Sequence, residues 1–371
     1  MPLSALPIKR IDVTTYTLRT DAPEADGTFA WGRSIMAFVE VDAGGKKGIG
    51  YTYADESTAH FIANHLAPAI VGRDAMSINE CFEAMVKAVR NLGRPGIAST
   101  AISAVDIALW DLKAKLLDLP LVTLLGAARP AIPICGSGGF TSYSIDLLCE
   151  QLGGWVSQGM QMVQMKVGRD PEADAVRVRA VRAAIGDAQL FVDADGAYCR
   201  KQALVQSERF AESNVAWFEE PVPSDDLEGL RLLRDRAPAC MEIAAGEYGY
   251  DPSYFQRLLA ASAVDVLQAD VTRCGGITGF LRVAALCEAH HVPLAAHRAP
   301  AITLHVACAV PMLRHLEYFH DHVRFEHRMF SGIPLPIGGM LAPDLTQPGL
   351  GLSLKPSADA IDLPPADAFA H

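Results

Sequence analysis

Long apolar runs are missing from this sequence. Nothing approaches the roughly 20 consecutive apolar residues of a membrane-spanning helix, so no membrane span is expected. The opening stretch, "MPLSALPIKRIDVTTYTLRT", lacks the apolar core of a secretory signal, and a cytoplasmic location is expected. Basic excess is missing too. With 32 Lys and Arg against 43 Asp and Glu, the net charge of -11 leaves no basic face for nucleic acid. The eight cysteines include no C-x-x-C pair, which fits free thiols in a reducing compartment better than a zinc knuckle or disulfide scaffold. Nor is there a glycine-rich dinucleotide fingerprint, since "GSGGF" at Gly136 to Phe140 is too short and wrongly spaced.

What is present falls into two patterns. Up to about residue 128 the chain reads as strands followed by helices. The segment "SIMAFVEVDAGGKKGIGYTYAD" is two extended runs around a Gly-Gly-Lys-Lys turn, a hairpin signal. From about Ala59 to Leu125 the pattern is helical, and "STAISAVDIALWDLKAKLLDLP" opens on a Ser/Thr cap and keeps helical spacing to Pro120. This predicts an α+β domain over residues 1–128, with a boundary at "AARPAIPICG". Beyond it, short apolar runs recur with amphipathic segments between them: "IPICG", "MVQMKVG", "LFVDAD", "VAWFEEP", "MEIAAGE", "VDVLQAD", "VPLAAHR" and "RHLEYF". Alternation of this kind implies α/β architecture with a parallel sheet, and eight strands is the number that closes a barrel. An open doubly wound sheet is the alternative, disfavoured by the missing fingerprint.

Most of these runs end in a residue that a buried strand should avoid. In order they are Lys166, Asp193, Glu219 with Glu220, Glu247, Asp270, His297 and Glu317. Successive separations of 27, 26, 28, 23, 27 and 20 residues, counted from Lys166, correspond to one strand, one helix and two loops each. The side chains are therefore expected at one level of the barrel, at the carboxyl-terminal mouth where such barrels carry their sites. One aspartate at a strand end is ordinarily a turn former. A titratable group at the end of strand after strand is a constellation.

Asp193, Glu219 and Glu247 on adjacent strands would repel one another unless compensated. A hard divalent cation resolves this, and oxygen ligands suit Mg²⁺, with Mn²⁺ as the alternative. Glu220 is then either a charge partner behind the ligands or half of a salt bridge outside the lumen. Lys166 beside a cation is expected to have a lowered pKa and to serve as a base. Asp270 is expected to orient His297 and raise its pKa, giving a second acid/base group. With Glu317 as a hydrogen-bonding carboxyl, the set suits removal of a proton α to a carboxylate through a stabilised enediolate.

These residues closely resemble the enolase superfamily and, within it, the mandelate racemase group. The likeness runs through "AISAVDIALWDLKAKLLDLPLVTLLGA", "MKVG", "VDAD", "WFEEP", "AAGE", "QADVTRCGGITG", "AAHRAP" and "HLEY". It implies a modified (β/α)7β TIM-type barrel over residues 129–344 under an N-terminal α+β cap that the segment 345–371 completes. It also implies Asp193, Glu219 and Glu247 as Mg²⁺ ligands, Lys166 as base, Asp270 with His297 as a dyad, and Glu317 on the enediolate. Homo-oligomers are common in the family and are expected here. Two positions depart from the group. Gln164 stands where a second lysine is frequent, and Asp195 where many relatives carry asparagine, which should strengthen the negative charge close to the metal.

Substrate choice in the group rests on two cap loops, here Thr20 to Gly32 and Tyr51 to Ser57. Their mixture of polar groups with Trp31 and Tyr53 suits a polyhydroxylated carboxylate better than an aryl one. Trp31 either meets substrate or packs the lid together with Phe29. Gln164, Asp195 and Arg298 are further candidate substrate contacts. The expected reaction is dehydration of an acid sugar to a 2-keto-3-deoxy acid. Racemisation or epimerisation of a 2-hydroxy acid by Lys166 and His297 is the rival. A Schiff-base aldolase built on Lys166, or a non-catalytic binder, are remoter readings.

Overall fold

The computed structural model describes residues 5–356. Strands β1 (Arg10–Ala25), β2 (Ala30–Ala43) and β3 (Lys46–Tyr53) form an antiparallel sheet in that order. The β2–β3 hairpin turns at Gly44 and Gly45, whose φ values of 59° and 78° are the positive pair a two-residue turn demands. Both lysines of the expected turn pair within the ladder instead, Lys46 with Ala43 and Lys47 with Asp42. Much of the expected cap loop from Thr20 to Gly32 is also strand, because β1 continues to Ala25 past an irregularity after Arg19.

Helix Ile97–Leu116 lies against this sheet so closely that a Cβ on Gly48 or Gly50 would come within 2.2 Å of the helix carbonyls of Ala108 or Ala104. The expected Ser/Thr cap is not formed. Gly96, at φ 76°, precedes the first helical residue, and Ser99 and Thr100 lie inside the first turn. Burial explains their use there: the Ser99 hydroxyl donates to the Tyr250 carbonyl (2.6 Å), across to the neighbouring barrel. Further along, Asp106 accepts from the Thr278 amide (2.9 Å) and hydroxyl (2.6 Å) at the start of helix Gly276–His290. Asp111 accepts from Ile49 N and Leu350 N, both at 2.7 Å. One helix thus ties sheet, barrel and the returning C-terminal segment together. Of the segment expected to complete the cap, residues 357–371 lie outside the described residues.

All eight apolar runs are strands: β4 (Ile132–Gly138), β5 (Met162–Lys166), β6 (Gln189–Asp193), β7 (Val215–Glu219), β8 (Glu242–Ala245), β9 (Val266–Asp270), β10 (Leu294–His297) and β11 (Leu313–Phe319). They are parallel and lie in chain order, and β11 pairs back onto β4 through Glu317 opposite Cys135. That closure excludes the open sheet. Beneath the mouth, Cys135, Phe191, Trp217, Ala244, Val266 and Ala295 fill the lumen, so the barrel is a packed core with a site on top. Among the described residues no helix is long and apolar enough to cross a membrane. The eight cysteines are free, though Cys199 and Cys240 are exposed and not buried.

A buried carboxyl couples the cap to the barrel. Glu326 accepts from the Tyr51 hydroxyl of β3 (2.7 Å) and from Ala301 N (3.1 Å). Burial pushes its pKa up from 4.5 to about 8, against the lowering effect of those two hydrogen bonds. The fold therefore favours the protonated form. Its contribution to stability is full below pH 4.5 and is lost as pH rises towards 8. The whole span corresponds to about 5 kcal/mol. Urea unfolding of Glu326→Gln across this range should show a flatter pH dependence than wild type; parallel curves would refute the assignment.

Candidate active site

Register delivers the strand-end residues to one level. Lys166 lies opposite Asp193, Asp193 opposite Glu219, and Asp270 opposite His297. Pairing in a parallel sheet keeps partners on the same face, so one lumen-facing residue carries its neighbours inward with it. Glu247 comes from just beyond β8, and Glu317 from β11. All seven side chains are buried, none more than 4% exposed. Four non-glycine residues at strand ends take left-handed φ: Asp195 (47°), Glu220 (37°), Arg298 (52°) and Ala299 (46°). Such conformations cost roughly 1–3 kcal/mol each and persist where surrounding contacts fix them.

Two acid/base groups face each other across the ring. On β5, the Lys166 ammonium forms an ion pair with Asp193 and lies 3.0 Å from Asp195 Oδ2. On β10, His297 Nδ1 lies 2.8 Å from Asp270 Oδ2, and Asp270 Oδ1 accepts from the Thr272 amide and hydroxyl, each at 2.7 Å. With Nδ1 so held, Nε2 points at Glu247 Oε2 (3.0 Å) and Glu317 Oε2 (3.5 Å). The Ser137 hydroxyl donates to the other Glu317 oxygen (2.6 Å).

The protein's own charges oppose one expectation. Burial alone would lower the Lys166 pKa, but Asp193 and Asp195 outweigh burial and hold it well above the ordinary lysine value. The lowering expected beside a cation has to overcome these two carboxylates. His297 is shifted up as expected. Burial opposes that shift, and Glu247 and Glu317 contribute more to it than the Asp270 hydrogen bond. For Glu219, burial and then repulsion from Asp193, Glu317 and Glu247 push the carboxyl far up. Glu220 is buried in the same crowd, raised by burial and by Glu247, Asp193 and Asp195, so the outer salt bridge is not formed among the described residues.

Could a cation sit here? Asp193, Asp195 and Glu247 offer oxygens that all lie within 4.8 Å of one another. Glu219 stands beside this cluster, with Oε2 accepting from Gln164 Nε2 (2.8 Å) and Trp217 Nε1 (3.0 Å). Asp195 Oδ2 meets Lys166 Nζ and Glu247 Oε2 meets His297 Nε2, each at 3.0 Å, but the buried Glu219 Oε1 and Glu220 Oε1 accept no hydrogen bond. Such groups are costly unless something positive meets them. The donor set, oxygen throughout, fits a hard divalent ion.

The remaining candidates divide. Gln164 is directed at Glu219. Arg298 stacks on Phe319 (4.1 Å) with its Nε 3.9 Å from Glu317 and donating to no acceptor. Tyr53 stacks on His322 at 3.4 Å. Trp31 Nε1 donates to both Glu24 and Asp321 at 3.0 Å, which fastens the lid to the barrel. Arg273 was not anticipated: its guanidinium lies 3.0 Å from Glu247 and 3.5 Å from Asp270, bracing both. Its position three residues after Asp270 was the available signal.

Family models match nearly the whole chain. The mandelate racemase / muconate lactonizing enzyme N-terminal domain matches residues 11–126, and the enolase C-terminal domain-like model matches residues 148–358. The chain belongs to the mandelate racemase/muconate lactonizing enzyme family of the enolase superfamily. This family member is an enzyme, and its relatives include acid-sugar dehydratases and cycloisomerases. A mandelate racemase/muconate lactonizing enzyme-like protein from Rubrobacter xylanophilus superposes with a TM-score of 0.94 at 52% identity, over 95% of this chain and 99% of that one. L-talarate/galactarate dehydratase of Salmonella typhimurium is 34% identical over 85% of this chain and 79% of its own length. Its structure liganded with Mg and L-lyxarohydroxamate gives a TM-score of 0.88 at 28% identity, covering 96% of this chain and 93% of that one. The 3,6-anhydro-alpha-L-galactonate cycloisomerase of Streptomyces coelicolor is 33% identical over 84% of this chain and 87% of its own.

Proposed function

We propose that this enzyme dehydrates a polyhydroxylated carboxylic acid to a 2-keto-3-deoxy acid, with Mg²⁺ as cofactor. The observation that carries the reading is the placement of Lys166 and His297 on opposite walls of a ring of buried carboxylates in which Glu219 and Glu220 each keep an oxygen without a partner. Asp193, Glu219 and Glu247 would hold the ion, with Mn²⁺ as a substitute. When bound, it supplies positive charge to the substrate carboxylate, which makes the α proton more acidic. One of the two bases takes the α proton. The C–H electron pair passes into the substrate carboxylate as an enediolate, and its return forms the double bond between the α and β carbons as the β-hydroxyl departs. The opposing group gives that hydroxyl a proton, so it leaves as water, and the enol tautomerises to the keto acid. Glu317, pinned by Ser137, faces the pocket where an enediolate oxygen would develop and can hydrogen-bond it when protonated.

The same two-walled arrangement favours one other reading, exchange of the α proton without loss of water. Incubation with Mg²⁺ and a panel of aldonic and aldaric acids in deuterated water separates them. Keto-acid formation supports dehydration. Deuterium entering C2 with no keto product would replace it by racemisation or epimerisation.

Arg298 points to the substrate class. It is a largely buried cation whose Nε has no acceptor, held flat on Phe319 above the mouth. A second carboxylate on the far end of an aldaric acid would satisfy it. Arg298→Met is expected to raise KM for aldaric acids about 10- to 100-fold, while aldonic acids change little. Steady-state kinetics on a matched hexaric and hexonic pair measures this. An equal effect on both acids would remove the diacid preference.

A further inference from the structure

We propose that Asp195 is a fourth carboxylate ligand of the divalent-cation site; this rests on the cation reading above. On sequence grounds it was both a candidate substrate contact and a source of negative charge close to the metal. An Asp195 oxygen lies within 4.8 Å of oxygens on both Asp193 and Glu247, a cluster that Glu219 does not enter. The side chain is only 4% exposed, and its Oδ2 accepts no hydrogen bond although Lys166 Nζ is 3.0 Å away. One ammonium is thus shared by two buried carboxylates while Glu219 Oε1 and Glu220 Oε1 nearby accept no hydrogen bond, so the cluster calls for more positive charge than Lys166 supplies.

The backbone holds it there. Asp195 sits at φ 47°, and its own N–H donates to Asp193 Oδ1 (3.0 Å), which brings the two carboxylates to one point from the same strand end. Lys166 then spans both. An ammonium and a divalent ion thus draw on the same pair of carboxylates, and each weakens the hold of the other. With Asp193, Glu219 and Glu247 it completes four carboxylates, leaving two positions of an octahedron for substrate or water. Affinity in such oxygen sites follows the number of charged ligands.

Chelator-stripped wild type, Asp195→Asn, Asp195→Ser and Lys166→Met test this by Mg²⁺ calorimetry, with thermal unfolding of each stripped protein to establish folding. Both Asp195 variants are expected to bind Mg²⁺ about tenfold or more weakly, whereas Lys166→Met binds it more tightly. Water-proton relaxation of the Mn²⁺ complexes reads the coordination sphere itself, and Asp195→Ser is expected to hold additional exchangeable water. Either variant alone suffices if the other does not fold. Unchanged affinity in the Asp195 variants overturns the proposal and leaves the cofactor reading intact. Weaker affinity with an unchanged water count places Asp195 outside the coordination sphere and also overturns it. Failure of the wild type to bind any divalent ion removes both.

Discussion

Replacing His297 by asparagine is expected to lower turnover of the acid-sugar substrate by on the order of 10³-fold, within the range general acid–base groups contribute. The size of the effect follows from how the imidazole is held. Nδ1 is engaged by Asp270, which is itself fixed by Thr272 and braced by Arg273. Only Nε2 is left to meet substrate. Asparagine keeps a polar contact to Asp270 and removes the proton carrier. The variant should therefore fold normally and retain Mg²⁺ affinity, because His297 supplies no ligand atom to the carboxylate cluster. A separate readout divides the labour between the two walls. If Lys166 takes the α proton, His297→Asn still incorporates solvent deuterium at C2 of unreacted substrate, while Lys166→Met does not. If His297 is the abstracting base, the pattern is reversed. Wild-type turnover in the asparagine variant would dismiss the dyad as catalytic machinery.

The barrel was legible because its signal repeats. Eight apolar runs alternating with amphipathic segments left only a barrel or an open doubly wound sheet, and each was a strand within a few residues of its expected bounds. The same repetition exposed Lys166, Asp193, Glu219, Glu247, Asp270, His297 and Glu317, since a charged strand end is costly and seven in succession need a common cause. What stayed hidden depends on tertiary contacts. Ser99 and Thr100 have the chemistry of helix caps, yet the helix begins earlier, and a barrel carbonyl that no local pattern announces takes the Ser99 hydroxyl. Trp31 reads equally well as a pocket wall or a lid fastener until Glu24 and Asp321 are seen to share its indole N–H. The pair of carboxylates that holds Lys166 charged stayed hidden for the same reason. Asp195 is only two residues past Asp193, but nothing in the spacing says that a left-handed turn brings both carboxylates onto one ammonium.

Glu219→Gln is expected to have effects of opposite sign on stability and on activity. Burial and repulsion from Asp193, Glu317 and Glu247 make ionised Glu219 unfavourable in the stripped protein. Removing its charge relieves that repulsion while the amide oxygen still accepts from Gln164 and Trp217. In chelator, the variant should consequently melt at or above the wild-type temperature. Magnesium should invert the order. An ion held only by the native state stabilises it by RT ln(1 + [L]/Kd), about 2.7 kcal/mol at a concentration 100 times Kd. Wild type should gain this and the variant should gain little, since one of its charged ligands is gone. Turnover should fall about 10³-fold, and saturating Mg²⁺ should recover only part of it, because weakened binding and lost orientation both contribute. A purely structural Glu219 predicts the reverse: destabilisation in chelator and a full response to magnesium. Melting curves with and without the ion thus decide its role before any substrate is known, and a variant with the full magnesium response at wild-type turnover would remove Glu219 from the metal site.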